Sequence, residues 1–206
     1  MSQVTWAVEI ELWKHGYRYI AGLDEAGRGA LAGPVVAAAV VLPPYTCLEH
    51  MDDSKRLSRQ ERERLLQQIQ LYAIAIGVGI VAADMIDAIN IRRGTLLAMQ
   101  SAIAELRRRP DYLLIDGCDE VPWRCSQRAV VRGDQGVGSI AAASIVAKVT
   151  RDRLMERLDA TLPGYGFAQH KGYGTSAHLH AIRALGPSAI HRRTFRGVTP
   201  MADQHG

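Results

Sequence analysis

The sequence predicts an α/β fold, a mixed five-stranded sheet flanked by helices, on two observations. Two apolar runs, Tyr17–Asp24 and Pro34–Leu42, are joined by a tight glycine-rich return, which makes them an antiparallel pair. After a third apolar run, helical and strand patterns alternate, as they do where helices cover the faces of a sheet. A further observation bears on function. Acids recur at strand ends: Asp24 and Glu25 after the first, Asp116 after the fourth, Asp134 just past the fifth. Sites in open α/β sheets gather at such ends.

Taken in order, residues 5–16 predict a short amphipathic helix with Trp6, Ile10 and Trp13 on one side. Pro43 and Pro44 stop the second strand, and Asp52–Lys55 is a polar loop. Ser58 with Glu61 forms a capping box that opens a helix to about Leu71. Ala73–Val81 is the third strand. Asp84 caps a short turn, and a longer helix runs from about Asn90 to Arg108 with Leu96, Leu97, Ile103 and Leu106 inward. The fourth strand, Tyr112–Ile115, runs into Asp116, and the fifth, Arg128–Val131, runs toward Asp134. From Gly138 to about Leu158 lies an alanine-rich helix, small-sided enough to pack close to a sheet. A loop (163–174), a helix from Thr175 to Leu185 and an arginine-rich tail complete the chain.

With 206 residues the chain suffices for one sizeable core, and its 48% hydrophobic and 22% charged residues are those of a globular protein. No apolar run approaches the ~20 residues of a membrane span. The first 16 residues lack a basic start followed by an apolar block, so they do not read as a signal peptide. Cys47, Cys118 and Cys125 form no CxxC pair, which argues against a disulfide scaffold or structural zinc and for a reducing, cytoplasmic compartment. A net charge of +4 permits nucleic-acid binding without requiring it.

Two hard divalent ions about 3.5–4 Å apart need several carboxylate oxygens. Asp24, Glu25, Asp116 and Asp134 supply four from three segments. Each alone reads equally as a surface acid or a cap; the set, at the ends of apolar strands, points to metal. In a regular strand the neighbours Asp24 and Glu25 face opposite ways. Sharing one site requires the strand to end or bulge there, which Gly27 and Gly29 allow. Arg28 between those glycines suits a phosphate or a ribose edge, or a plain turn. Lys148 and Arg151, three apart on a helix, either face one phosphate or neutralise Asp152 and nearby acids. The 165–175 loop mixes aromatics, a base and glycines, and suits stacking on a sugar or base, or anchoring in the core. His178 and His180 read as solvent-facing and are assigned no metal.

Together, Asp24-Glu25-Ala26-Gly27-Arg28-Gly29, Asp53-Ser54-Lys55-Arg56-Leu57-Ser58, Leu114-Ile115-Asp116-Gly117, Gly133-Asp134 with Ala143–Asp152, and Tyr165-Gly166-Phe167 with His170–Thr175 resemble prokaryotic ribonuclease HII. The motifs keep the family's order over residues 18–197. The resemblance implies a ribonuclease H-like catalytic domain (1–160, with 1–16 an N-terminal helix). A small C-terminal helical extension (161–206) would pack on it. It implies endonucleolytic cleavage of RNA in RNA–DNA hybrids and incision 5′ to ribonucleotides embedded in duplex DNA, leaving 5′-phosphate and 3′-hydroxyl ends.

By the same resemblance Asp24 bridges two Mg²⁺ or Mn²⁺ ions, Asp134 serves the ion that activates water, and Glu25 and Asp116 serve the ion at the leaving 3′ oxygen. Gly27, Arg28 and Gly29 match the motif that senses the ribose 2′-hydroxyl, the group that distinguishes RNA from DNA. Tyr173 matches the ring that stacks on the following deoxyribose, and Lys55 and Lys148 are phosphate contacts. Ala30 stands where the family commonly has proline and touches none of these roles. The competing readings are a resolvase-type nuclease of the same fold and a non-catalytic hybrid-binding protein. Arg28 and Tyr173 argue against the first, and four intact acids facing phosphate argue against the second. Nothing calls for a dimer. The sequence leaves open a sliding-clamp partner and any role for residues 1–16 or the tail after Gly197.

Overall fold

Strand β1 (Ile20–Ala26) is the middle of a five-stranded sheet. On one side lie β2 (Val35–Val41) and then β3 (Ala75–Val81), both antiparallel to their neighbours. On the other lie β4 (Tyr112–Asp116) and β5 (Ser126–Val130), parallel to β1. The chain is seen as a computed structural model that describes residues 4–46, 48, 51, 54 and 56–198. The antiparallel pairing expected of the first two apolar runs is present, with Asp24 opposite Ala38 and Glu25 opposite Ala37.

Helices cover both faces. Helix α1 (Ala7–Lys14), α2 (Arg59–Tyr72) and α5 (Gly138–Thr161) pack on one face, around Trp13, Leu65, Ile69, Leu114 and Ile140. Helix α3 (Ala83–Ile89) and α4 (Ile91–Ala104) pack on the other, around Leu23, Ile86, Met99 and Ile115. The capping box of α2 is formed: Glu61 N–H donates to Ser58 Oγ at 3.2 Å and Ser58 N–H to Glu61 Oε2 at 2.7 Å. Close approach is built into the strands. A Cβ on Gly22 would lie 2.1 Å from the backbone of Ser139, so α5 rests directly on β1. On the opposite face Gly77 and Gly79 admit the α4 carbonyls of Ala102 and Ala98 in the same way.

Several boundaries differ from the sequence reading. Helix α4 ends at Ala104; Ile103 and, just past the helix, Leu106 are buried as expected and Leu96 packs beside them, but Leu97 is exposed and Gly94, Ala98, Met99 and Ala102 fill the rest of the inner face. Glycines in β3 draw the helix too close for leucine there, so small residues take that part of the face. The turn assigned to Asp84 is α3, whose N-cap is Ala82; the Asp84 carboxylate accepts from Met85 N–H inside the first turn. The 163–174 loop contains one helical turn, α6 (Phe167–His170), before α7 (Ser176–Leu185), which Thr175 caps through His178 N–H. Among the described residues no helix is long and apolar enough to cross a membrane.

Candidate active site

Strand β1 starts at Ile20, later than its hydrophobicity suggests, and runs two residues past Asp24. Asp24 and Glu25 therefore sit inside regular strand and face opposite ways, as strand geometry requires. Asp24 shares the face of Ala38, toward α5. The β1–β4 register pairs Leu23 with Ile115, so Asp24 and Asp116 follow side by side on that face. Glu25 points toward α4, where it lines a small cavity of about 20 Å³ with Arg92, Thr95 and Cys118. Thr95 Oγ1 there is buried without a hydrogen-bond partner.

The strand ends at Ala26 and the chain turns away at Gly27 (φ +91°), which leaves its tip open. Asp24, Glu25 and Asp116 consequently all reach one cavity of about 550 Å³, which Gly27, Arg28, Gly29, Ser54, Arg62, Ser144, Lys148 and Tyr173 also line. Burial, and then the charges of Glu25 and Asp116, push the Asp24 carboxyl well above the usual carboxylate range. Hydrogen bonds from the Ser144 hydroxyl and from Glu25 N–H (2.7 Å) oppose that rise. Ser144 is in turn 2.9 Å from Ser54 Oγ. Neither serine is marked by sequence reasoning, although a polar residue within an alanine-rich helix is the available signal for Ser144. Among the described residues no three acidic, histidine or cysteine side chains converge as a ready metal cage. The carboxylates line the cavity without meeting at a point, an arrangement like charges favour.

Asp134 lies outside that wall. It is buried on the 3-10 turn Gly133–Gln135, and its N–H donates to Asp116 Oδ1 at 3.3 Å. The first residues of the chain hold this turn. Thr5 N–H donates to Gly136 C=O (3.1 Å), Gly138 N–H donates to Thr5 C=O (2.9 Å), and the Trp6 ring packs on Gly138. Glu9, buried with its pKa raised chiefly by that burial, accepts from Ser139 N–H at 2.6 Å at the start of α5. Residues 5–9, given no role from sequence, thus brace the segment that carries the fourth acid.

The Gly27–Gly29 turn is held from below by two buried arginines. Arg151 donates to the carbonyls of Pro34 (2.9 Å), Lys171 (2.9 Å) and Ala32 (3.1 Å). Arg192 donates to the carbonyl of Gly33 (3.1 and 2.9 Å) and to that of Arg28 (2.9 Å). Burial lowers both guanidinium pKa values, and Arg192, reaching about 10, remains a cation at neutral pH. Pairing Arg151 with Lys148 on one phosphate, one of the two sequence readings, is therefore excluded: its fork is spent on backbone carbonyls. Sequence gives no signal for Arg192, which looks like any other member of the basic tail.

A Cβ on Gly27 would strike Arg151, so this glycine is demanded by the protein itself. Beside Gly29 a Cβ would meet nothing within 4 Å, which leaves that face of the turn open to a ligand. Arg28 is half exposed, 3.7 Å from Glu25. Lys148 lines the cavity but is paired with Asp152 at 2.8 Å, the alternative the sequence left open. Lys55 lies outside the described residues. Tyr173 is partly exposed on the wall, with the Arg151 guanidinium 5.4 Å from its ring centre. His180 is exposed as expected, whereas His178 is fully buried, stacked on His170 with ring centres 4.3 Å apart. A single turn of helix before it and the chain after it fold over that ring.

The family model for Ribonuclease HII matches residues 21–198. Ribonuclease HII of Geobacter sulfurreducens is 57% identical over 193 residues, covering 94% of this chain and 89% of the relative. That of Syntrophotalea carbinolica is 54% identical over 190 residues, covering 92% and 91%. Among solved structures, ribonuclease H2 of Pyrococcus horikoshii is similar with a TM-score of 0.72 at 26% identity, over 87% of this chain and 94% of that one. A structure of the PCNA:RNase HII complex from Archaeoglobus fulgidus gives 0.68 at 26% identity, over 86% and 95%.

Proposed function

The chain belongs to the ribonuclease HII family, and from this and the site we propose how its residues cut RNA–DNA hybrids and incise 5′ to ribonucleotides embedded in duplex DNA. The observation that carries the reading is one cavity bounded by three carboxylates, an open-faced Gly-Arg-Gly turn and a tyrosine ring. Asp24, Glu25 and Asp116, with Asp134 behind them, form an all-oxygen donor set that suits hard divalent cations such as Mg²⁺ or Mn²⁺. The raised pKa of Asp24 fits: burial and then the neighbouring acid charges disfavour its ionised form, which gains from a cation. Bound in pairs, such ions lower the pKa of water and stabilise a leaving oxygen.

The protein's own groups select and align the substrate. Gly29 leaves room for a ribose to approach the turn's backbone, whose position Arg192 fixes at the Arg28 carbonyl. Arg28, half in solvent and 3.7 Å from Glu25, reaches a phosphate or sugar edge by loosening that ion pair. Tyr173 presents a flat face on which the next sugar rests, and a 2′-hydroxyl there would stand against the ring. Lys148 would approach a phosphate only by sharing its charge with Asp152, so its contribution to affinity is small.

Cleavage of a duplex carrying one ribonucleotide, with and without Mg²⁺ and with the cut mapped, tests this reading. Asp134→Asn is expected to abolish incision while leaving hybrid binding within a few-fold of the unsubstituted protein. Full cutting by that variant would remove Asp134 from the reaction, and a cut on the 3′ side of the ribonucleotide would overturn the assignment of the turn.

A further inference from the structure

Behind Tyr173, on the side away from the cavity, three histidines meet: His170, His178 and His191. The last two are buried, and neither lines the cavity. Their hydrogen bonds permit one tautomer chain. The Tyr173 carbonyl only accepts, and it lies 3.0 Å from His178 Nδ1, so that nitrogen carries the proton. In a neutral ring His178 Nε2 then accepts, and the donor is His191 Nε2 at 3.0 Å. His191 Nδ1 must accept in turn, and it faces the Ser188 N–H at 2.9 Å and the Ser188 hydroxyl at 2.8 Å. Every ring nitrogen of the pair is used, and both rings are neutral.

The carbonyl that receives this chain belongs to a tightly held turn. Tyr173 N–H donates to His170 C=O at 3.0 Å, and its carbonyl also accepts Thr175 N–H at 2.8 Å. One residue earlier, Gly172 C=O accepts Leu31 N–H at 2.8 Å, which ties this turn to the chain leaving the Gly-Arg-Gly segment. A Cβ on Gly172 would lie 2.4 Å from the Ala32 carbonyl. The two substrate-facing turns are therefore joined directly through backbone hydrogen bonds.

We propose that His178 and His191 are positioning residues for substrate discrimination: His191 fixes the tautomer of His178, and His178 fixes the Tyr173 carbonyl and so the angle of its ring on the cavity wall. The proposal rests on the reading of Tyr173 as a sugar-stacking residue. The donor of that pair is aimed at the backbone of Tyr173 itself, so the pair bears on the cavity wall as well as on α7.

The test compares kcat/KM on a duplex with one ribonucleotide and on a uniform RNA–DNA hybrid. His178→Phe keeps the ring but removes both nitrogens, whereas His178→Asn keeps a donor near Nδ1. His191→Leu removes the donor to His178, and His191→Gln keeps one. The Phe and Leu variants are expected to lose about three- to tenfold of the preference for the ribonucleotide–deoxyribonucleotide junction, mostly through KM, as fits one hydrogen bond. Asn and Gln should recover most of it. An unchanged preference in folded Phe and Leu variants overturns the proposal, as does a loss that Asn and Gln leave unrecovered. Tyr173→Ala separates the two layers. If it leaves the preference intact, the Tyr173 reading falls and the positioning role with it; if it lowers the preference while the histidine variants do not, only the positioning role falls. Should His178→Phe fail to fold, the His191 variants, remote from the Tyr173 backbone, decide.

Discussion

Asp24 concentrates the conflict between folding and function into one side chain. It is buried at the tip of β1, beside Asp116 and next to Glu25, and all three influences disfavour its charge. The fold tolerates it because Ser144 and Glu25 N–H hydrogen-bond the carboxylate. Asp24→Asn removes the repulsion while keeping the shape. In EDTA at neutral pH the variant is expected to melt higher than the unsubstituted protein by roughly 2–4 °C per kcal/mol relieved, the scaling for chains of this size. Cleavage should be lost. Adding Mg²⁺ should raise the melting temperature of the unsubstituted protein well above its effect on the variant. Equal or lower melting of Asp24→Asn in EDTA would show that its neighbours do not strain this carboxylate.

Among elements, α1 is the one whose importance is least visible in sequence. It packs Trp6 and Trp13 into the core, which the amphipathic pattern foretells, but its functional contact is Glu9 on the first turn of α5. Glu9→Ala leaves Ser139 N–H without that acceptor and should lower stability by about 1–2 kcal/mol, as for other lost helix caps. Because the same segment braces the Asp134 turn, the Mg²⁺ concentration for half-maximal cleavage should rise as well. Urea titration and a Mg²⁺ titration of the rate check the two parts. A loss of stability with an unchanged Mg²⁺ requirement would reduce α1 to packing alone.

The contrast shows what sequence carries. Strands announce themselves by apolar runs, so five strands, their mixed pairing and the acids at their ends are legible in the sequence. The cavity partners of Asp24, Glu25 and Asp116, namely Gly27, Arg28, Gly29 and Tyr173, were legible through motifs. Contacts that depend on long-range burial were not. Arg151 and Arg192 read as surface cations until the turn they hold is seen around them. His178 reads as solvent-facing in sequence, and the return of the chain at His191 is what buries it.

At the scale of the whole molecule, that buried pair makes the C-terminal segment acid-sensitive. Burial and the neighbouring His178 and His170 rings lower the pKa of His191 to about 4, and burial lowers that of His178 too. The groups that face His191 are His178, His170, Ser188, Tyr165 and Phe167, none of them an acid that would favour its charge. Unfolded, these rings titrate near 6.5. Between about pH 6.5 and 4 the unfolded chain thus binds more protons than the folded one, and stability rises with pH. The contribution is complete above that window and is lost as pH falls through it, on the order of 3 kcal/mol for His191. Urea unfolding at pH 7.5 and pH 5.0 measures it. The unsubstituted protein should lose stability between the two, and His191→Gln, which cannot titrate, should lose less by roughly 1–2 kcal/mol, since pH 5.0 lies inside the window. A parallel loss in both proteins would place the acid sensitivity elsewhere in the fold and would mean that His191 accepts a proton without disturbing the chain of bonds to Tyr173.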